Sequence, residues 1–318
     1  MEIFYIICAV ILGLALICLI TAYVCFRMVF LAPPKEKREP SEKIPLPEGE
    51  EYEPYYERMR AAVLRARELP YEEFWIKSFD GLTLNARYYE KEKGAPIELM
   101  MHGYRGSAER DMSAGIYRAF AVGHNAFVID HRASGRSDGR VISFGINEKK
   151  DALRWLDLII EHFGADTKVI ITGISMGAAT ALMCAGEELP ENAVGALADC
   201  GYTTAEEIIR KVIRDMKLPD KIFYPFVRLG GRLFGGFDIN DADAREAVKR
   251  SKIPVIFYHG SLDAFVPEYM SRENYEACRS RKEFIVIEGA SHGLCYLISP
   301  KYYIETLYKF YPEFSKID

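Results

Sequence analysis

Residues 169 to 185 read VIITGISMGAATALMCA, and this segment is the most informative part of the chain. A β-branched run from Val169 to Thr172 leads into Gly-Ile-Ser-Met-Gly at 173–177, and an alanine-rich helical pattern follows. The order predicts a strand, a sharp turn and a helix, with Ser175 at the apex of the turn. A serine held there stands above the end of a sheet, and the flanking glycines let neighbouring backbone approach closely. We therefore expect the Ser175 side chain to be exposed at the end of the sheet.

The rest of the chain predicts an α/β fold. Asp80-Gly81 separates two strand patterns at 72–79 and 82–90, which indicates an antiparallel hairpin. Six further strands are predicted at 97–101, 126–130, 168–172, 194–199, 255–259 and 283–287. Helical patterns lie between them, so we expect a mostly parallel, doubly wound sheet whose ligands bind beyond the carboxyl ends of the strands.

The strand, turn and helix around Ser175 resemble the nucleophile elbow of the α/β-hydrolase superfamily. In that superfamily an acid and then a histidine follow the serine along the chain, so that the histidine can act as base and the acid can orient it. Only two of the six histidines follow Ser175, His259 and His292. His292 lies just after the last predicted strand, where the resemblance places the base.

The acid has two candidates. Asp263 lies four residues after the strand at 255–259 and resembles the superfamily's acid loop, whereas Asp199 ends the preceding strand, where some relatives hold the acid. Asp263 is favoured, and Asp199 is expected to be structural. The resemblance therefore implies a Ser175, Asp263 and His292 triad.

An oxyanion hole requires two backbone N–H groups. The resemblance implies that Met176, directly after the nucleophile, supplies one, and that Tyr104 in His-Gly-Tyr-Arg-Gly at 102–106 supplies the other. His102 is expected to be structural, and the polar turn at 130–137 is expected to hold loops in place. Cys295 is expected to be a buried, small apolar residue.

A long insertion at about 202–247 separates two predicted strands and is rich in aromatic residues and glycine. Many members of the superfamily carry a helical cap at this point. The resemblance therefore implies a lid over Ser175.

The first residues predict a membrane anchor. Residues 3–26 carry no charge and would form a helix of about 36 Å, which exceeds a hydrocarbon core of about 30 Å. A signal peptide is the alternative, but it would have a basic start and a shorter apolar run. Basic residues follow the run, at Arg27, Lys35, Lys37, Arg38 and Lys43, so the positive-inside rule places the catalytic domain in the cytoplasm.

The boundaries predicted for the chain are an anchor at 1–31, an extended linker at 32–52 and a hydrolase domain at 53–318. A helix is expected at 53–69, either packed on the domain with a solvated charged face or in contact with anionic lipid headgroups. The resemblance is to bacterial membrane-anchored members whose catalytic domain is similar to esterases and prolyl oligopeptidases.

Composition excludes several other classes of function. The net charge is −5 and no basic cluster lies beyond the one after the anchor, which argues against nucleic-acid binding. The sequence has neither metal-ligand spacing nor a phosphate-binding glycine motif, so we expect no metal and no cofactor. The seven cysteines are scattered, which suits a reducing compartment.

These observations together predict a serine hydrolase that cleaves carboxylic esters, of small molecules or lipids, through an acyl-enzyme. A peptidase of aminopeptidase type would use the same triad. A ligand-binding protein that keeps the fold without catalysis is the alternative from another class.

Overall fold

A computed structural model describes residues 1–35 and 43–316. Eight strands form one sheet, and their bounds are β1 Glu72–Lys77, β2 Thr83–Tyr89, β3 Ile97–Met101, β4 Asn125–Ile129, β5 Val169–Ile174, β6 Ala193–Asp199, β7 Val255–Gly260 and β8 Lys282–Ile287. The helices are α1 Glu2–Val29, α2 Tyr56–Glu68, α3 Ala108–Ala121, α4 Ile146–Phe163, α5 Met176–Ala185, α6 Ala205–Asp215, α7 Asp220–Gly230, α8 Ala244–Val248, α9 Glu268–Ala277, α10 Cys295–Ile298 and α11 Pro300–Phe310.

The strand order in the sheet is β1-β2-β4-β3-β5-β6-β7-β8. The β1–β2 and β2–β4 pairs are antiparallel, and every later pair is parallel. The prediction of an antiparallel hairpin followed by a parallel, doubly wound sheet is therefore confirmed.

Both faces of the sheet are buried along β3 to β7, as expected for parallel strands that helices cover on each side, whereas most of β1 is exposed. Successive residues of β5 point to opposite faces of the sheet, so that Ile170 packs with α11 on one face and Ile171 packs with α4 on the other. Because all the parallel strands run in one direction, their carboxyl ends meet at one edge, and the loops at that edge carry Ser175, Asp263 and His292.

Helix α1 is long and apolar enough to cross a membrane, by length and composition. Its first two thirds project from the domain, whereas Ala22 and Phe26 are buried against α7. Gly230 of α7 allows this approach, because a Cβ atom there would lie 2.5 Å from the Ala22 carbonyl oxygen. The α1 helix thus packs on the domain along its last two turns.

The linker predicted at 32–52 departs from an extended tether in its described parts. The Ala32 amide donates to the Arg140 carbonyl oxygen (2.7 Å), and Lys35 pairs with Asp138 at 2.9 Å. Tyr52 contacts the catalytic edge of the domain, as described below. Residues 36–42 of the predicted linker, which include Lys37 and Arg38, lie outside the described residues.

Candidate active site

Ser175 occupies a strained turn between β5 and α5. Its φ is +56° and its ψ is −118°, a backbone conformation that a non-glycine residue adopts only when the surrounding structure holds it. The Ser175 amide donates to the Asp199 carbonyl oxygen at 2.8 Å. A Cβ atom at Gly173 would lie 2.1 Å from the Gly177 carbonyl oxygen, and one at Gly177 would lie 2.1 Å from the Met101 carbonyl oxygen. Both glycines are therefore required by close backbone contacts.

The structure brings Ser175, His292 and Asp263 into one hydrogen-bonded chain. Nε2 of His292 lies 2.9 Å from Ser175 Oγ, and Nδ1 lies 2.7 Å from Asp263 Oδ2. The serine is 8% exposed and the aspartate 7%, so the chain is shielded from water except at the imidazole edge. This arrangement allows the imidazole to accept a proton from the serine hydroxyl while the carboxylate fixes the opposite nitrogen.

The Asp263 carboxylate is held on both oxygens. Its Oδ1 accepts from the amides of Phe265 (3.0 Å) and Val266 (2.8 Å). Burial alone would raise the pKa of Asp263, but the hydrogen bonds from His259 and His292 lower it well below its usual range. The group is therefore a carboxylate at neutral pH.

His259 is a neighbour of the acid that the sequence did not assign. Its Nε2 donates to the Val266 carbonyl oxygen (2.8 Å) and lies 3.3 Å from Asp263 Oδ2, and its Nδ1 lies 2.7 Å from Ser271 Oγ. It thus supports the acid loop. The signal in the sequence was a histidine at the end of a strand four residues before the acid, which does not by itself separate a supporting role from a catalytic one.

Asp199, the alternative acid, takes another partner. Its Oδ2 accepts from the Tyr303 hydroxyl at 3.1 Å, and in the described chain no hydrogen bond joins its carboxylate to His292. Burial raises the pKa of Asp199 above its usual value. The structure therefore favours Asp263 over Asp199 as the partner of the base.

The loop with the expected oxyanion donor of Tyr104 borders the serine. A Cβ atom at Gly103 would lie 3.4 Å from Ser175 Cβ. The Gly103 amide donates to Asp111 Oδ2 (2.9 Å), and His102 donates from Nδ1 to the Gly103 carbonyl oxygen (2.8 Å). The backbone N–H and carbonyl groups of Gly103, the residue before Tyr104, are therefore both hydrogen-bonded. The Met176 amide, the other expected donor, begins α5 and has no carbonyl one turn earlier in its own helix to accept from it.

Two further predictions concern the surroundings. Asp130 accepts from the amides of Ala108 (2.9 Å) and Arg136 (3.0 Å), which agrees with a role in holding loops for the turn at 130–137. Cys295 is fully buried at the start of α10.

One cluster near the triad has the chemistry of a metal site. A ligand atom of each of Cys200, Asp263 and His292 lies within 4.8 Å of the others. Burial raises the pKa of the Cys200 thiol well above its ordinary value, and both ring nitrogens of His292 are already engaged, by Asp263 Oδ2 and Ser175 Oγ. The cluster therefore fits a hydrogen-bonded triad better than a metal.

Comparisons with known proteins give the same fold. A sequence profile described as the alpha/beta hydrolase fold matches residues 99–242. The chain is 21% identical to the Pyrococcus furiosus esterase Pf2001 over 90% of this chain and 99% of that one, with a TM-score of 0.66. The chain therefore has the α/β-hydrolase fold.

Two curated proteins are similar to this chain in sequence. The Bacillus subtilis protein YqkD, described as uncharacterized, is 28% identical over 59% of this chain and 62% of its own length. The Schizosaccharomyces pombe protein bem46 is 24% identical over 68% of each. The chain thus matches less than two thirds of the length of the Bacillus protein.

The edge of the sheet at the carboxyl ends of the parallel strands contains a cavity of about 330 Å³. Ser175 and His292 lie at its wall beside Phe265. Apolar and aromatic side chains dominate the rest of the lining, which includes Met59, Ala62, Val63, Met112, Leu197, Tyr296, Leu297 and Tyr303. Such a volume suits a small organic ligand or one end of a larger one.

The cover of this cavity differs from the prediction. Among the described residues that line it, none belongs to the insertion at 202–247, so the expected lid over Ser175 is wrong. The insertion is helical (α6 to α8), but α7 packs on α1 instead. Residues 47–52 and α2 form the outer wall of the cavity, with Tyr52 and Met59 facing it.

The charged side chains of α2 contact the domain, which agrees with the first of the two interpretations of this helix. Arg67 pairs with Glu109 at 2.8 Å, and the Arg65 guanidinium lies 4.6 Å from the centre of the Tyr117 ring. The apolar stripe of α2 packs on α3 through Ala66. The helix is therefore part of the domain.

Proposed function

We propose that this chain is a serine hydrolase that cleaves carboxylic esters. The observation that carries the proposal is the hydrogen-bonded chain from Ser175 Oγ to His292 Nε2 (2.9 Å) and from His292 Nδ1 to Asp263 Oδ2 (2.7 Å). The α/β-hydrolase fold and its likeness to a Pyrococcus furiosus esterase support hydrolysis as the reaction class.

In the proposed mechanism Ser175 Oγ attacks the ester carbonyl carbon while His292 Nε2 accepts the hydroxyl proton. The Asp263 carboxylate accepts from Nδ1–H, which selects the tautomer with a free Nε2 and stabilises the imidazolium that forms. The amides of Met176 and Tyr104 bind the developing oxyanion. The protonated imidazole then gives its proton to the departing alcohol, and a water molecule attacks the acyl-enzyme by the same route.

The cavity supports an ester with a mainly apolar acyl or alcohol part. Its lining near the serine is aromatic and aliphatic, and its volume of about 330 Å³ limits the buried part to a small group. A lipid ester would place one end there and leave the remainder outside. We propose small-molecule or lipid esters as the substrate class.

We also propose that α1 anchors the protein in a membrane with the catalytic domain on the cytoplasmic side. The support is the exposed apolar part of α1 and the basic residues that follow it, Arg27, Lys35 and Lys43. A signal sequence passes the same test of length and composition. Protease protection of the full chain in sealed vesicles distinguishes the two orientations.

The test of the proposed reaction uses the full chain in detergent. A fluorophosphonate probe should label Ser175, and p-nitrophenyl esters of increasing acyl length should be hydrolysed. Ser175→Ala should abolish labelling and lower kcat by about 10⁵-fold or more. Ser280→Ala is the matched control, since this hydroxyl lies beyond α9 beside Cys278, and it should change neither result.

Two other outcomes would replace the proposal. Turnover of aminoacyl amides with none of esters would indicate a peptidase on the same triad. A wild-type protein that resists the probe and hydrolyses neither class of substrate would be a ligand-binding member of the fold.

A further inference from the structure

The C-terminal end of α1 contacts the loop that carries the proposed oxyanion donor. The Tyr104 hydroxyl donates to the Val29 carbonyl oxygen at 2.6 Å. The next residue, Arg105, donates from Nη2 to the carbonyl oxygens of Met28 (2.7 Å) and Leu31 (3.3 Å). Two consecutive side chains of the loop thus bind one short stretch of backbone.

The chemistry of a helix terminus explains these contacts. The last carbonyl groups of α1, which ends at Val29, have no amide partner within the helix. These carbonyls also form the negative end of the helix dipole, which attracts a guanidinium group such as that of Arg105. The loop therefore supplies the cap that α1 needs, and α1 in return fixes the loop.

The same end of α1 also contacts a second loop beside the site. The Ile142 amide donates to the Phe30 carbonyl oxygen at 2.8 Å. The Phe144 ring lies 5.9 Å from the Phe30 ring and 5.0 Å from the Tyr104 ring, between centres. Residues 28–32, here called the α1 end, thus hold both loops against each other.

Both loops contain a strained residue at the point of contact. Arg105 has a φ of +52° and Phe144 a φ of +54°, although neither is glycine. Residues in this region of backbone conformation persist only where surrounding contacts hold them. The α1 end provides such contacts to each of the two.

We infer that the α1 end is a positioning element for the oxyanion hole, so that the proposed membrane anchor and the catalytic site are mechanically connected. This inference rests on the proposed function. Tyr104 contributes to it in two separable ways: its backbone N–H is the proposed oxyanion donor, and its side-chain hydroxyl binds the Val29 carbonyl oxygen. A substitution that removes the hydroxyl keeps the backbone N–H and removes only the hydrogen bond to Val29.

The test compares Tyr104→Phe with wild type in the full chain, in detergent micelles. We expect kcat to fall roughly tenfold with KM within about twofold, because a loosened loop weakens binding of the transition state more than binding of the ester. Affinity for a trifluoromethyl ketone, which forms an oxyanion on the serine, should fall by the same factor as kcat/KM. A general loss of stability would not lower the ketone affinity and kcat/KM by the same factor, so this agreement distinguishes a positioning role from a structural one.

Tyr311→Phe is the matched control. It also removes a hydroxyl that donates to a backbone carbonyl, that of Ala196 at 2.8 Å, but it lies after α11 and outside the cavity lining. Its kcat and ketone affinity should equal those of wild type. Arg105→Gln is the second variant, because this exposed side chain makes its own hydrogen bonds to the α1 end while its guanidinium lies 5.1 Å from the centre of the Tyr104 ring. Its kcat should fall about threefold.

The outcomes separate the inference from the proposed function. If wild type hydrolyses esters and both Tyr104→Phe and Arg105→Gln keep its kcat and ketone affinity, the inference is wrong and the proposed function stands. If wild type neither reacts with the fluorophosphonate nor hydrolyses esters, the proposed function fails and the inference fails with it.

Discussion

Asp263→Asn tests the role of the acid, and the structure indicates which way the new amide would turn. Oδ1 of the aspartate accepts from the amides of Phe265 and Val266, so the amide oxygen of asparagine must take that place. Its NH2 group then faces Nδ1 of His292, which now lies 2.7 Å from Oδ2. Nδ1 would have to accept, and the ring proton would move to Nε2, where it prevents proton transfer from Ser175.

The size of the effect follows from the cost of the opposite orientation. Turning the amide would leave the buried Val266 N–H and the partly buried Phe265 N–H unsatisfied, and a buried group costs about 1–3 kcal/mol. The orientation with the wrong tautomer is therefore favoured by at least about 1–3 kcal/mol, and loss of the carboxylate charge that stabilises the imidazolium adds to this. We expect kcat to fall by about 10³–10⁴-fold, which corresponds to about 4–5.5 kcal/mol in the activation free energy.

The assay is p-nitrophenyl ester hydrolysis at pH 8, with circular dichroism to establish that each variant is folded. Asp199→Asn is the control, because that carboxylate accepts from Tyr303 and should affect kcat by no more than about threefold. Asp263→Asn with more than a tenth of the wild-type kcat would refute the assignment. A larger loss in Asp199→Asn than in Asp263→Asn would also refute it.

Three further predictions concern the folded structure; those for Glu98 and Thr204 are measured by denaturant unfolding, and the one for Gly177 by probe labelling. Glu98→Gln should lower the free energy of unfolding by about 3–5 kcal/mol, because it leaves the buried Arg118, now 2.5 Å from Glu98, without a counter-charge. Although burial opposes ionisation, Arg118 and His124 lower the pKa of Glu98 to about 2; the stabilisation is therefore present above about pH 5 and is lost as the pH falls towards 2. Gly177→Ala should prevent a native elbow, because its Cβ atom would lie 2.1 Å from the Met101 carbonyl oxygen, and should abolish probe labelling. Thr204→Ala removes the side-chain cap of α6 and should cost about 1 kcal/mol.

Each of these predictions has a clear contrary result. Glu98→Gln with an unchanged unfolding free energy at pH 7 would mean that Arg118 finds another partner. Gly177→Ala with wild-type labelling would mean that the turn can shift without loss of the site. Wild-type stability in Thr204→Ala would show that the hydroxyl does not cap the helix.

The strands were predictable because each buried parallel strand is a short apolar run between polar or turn-forming residues. The predicted 97–101 strand has the observed bounds, and the other seven agree to within two residues at each end. The residues of the candidate triad were predictable for a related reason. Each follows a strand at the same edge of the sheet, so the chain order of the superfamily is enough to select Ser175, Asp263 and His292.

The segments that form the outer wall of the cavity, and the packing of the insertion at 202–247, were not predictable in the same way. The aromatic residues and glycines of the insertion indicate that it packs against another part of the protein, but they do not identify that part. In the structure, Gly230 of the insertion packs against Ala22 of α1. The segment at 32–52 has the composition of a tether, yet Tyr52 lines the cavity. These contacts join residues far apart in the chain, and local periodicity carries no information about them.

The packing of Ala22 on Gly230 sets the distance between the catalytic edge and a bilayer. Residues 2 to 21 of α1 would measure about 30 Å, the thickness of the hydrocarbon region, before the helix meets the domain at Ala22. In the proposed anchored state there is consequently no stalk, and the domain rests directly on the headgroups. The same contact limits rotation of the domain relative to α1, so the mouth of the cavity would keep a constant distance from the bilayer surface.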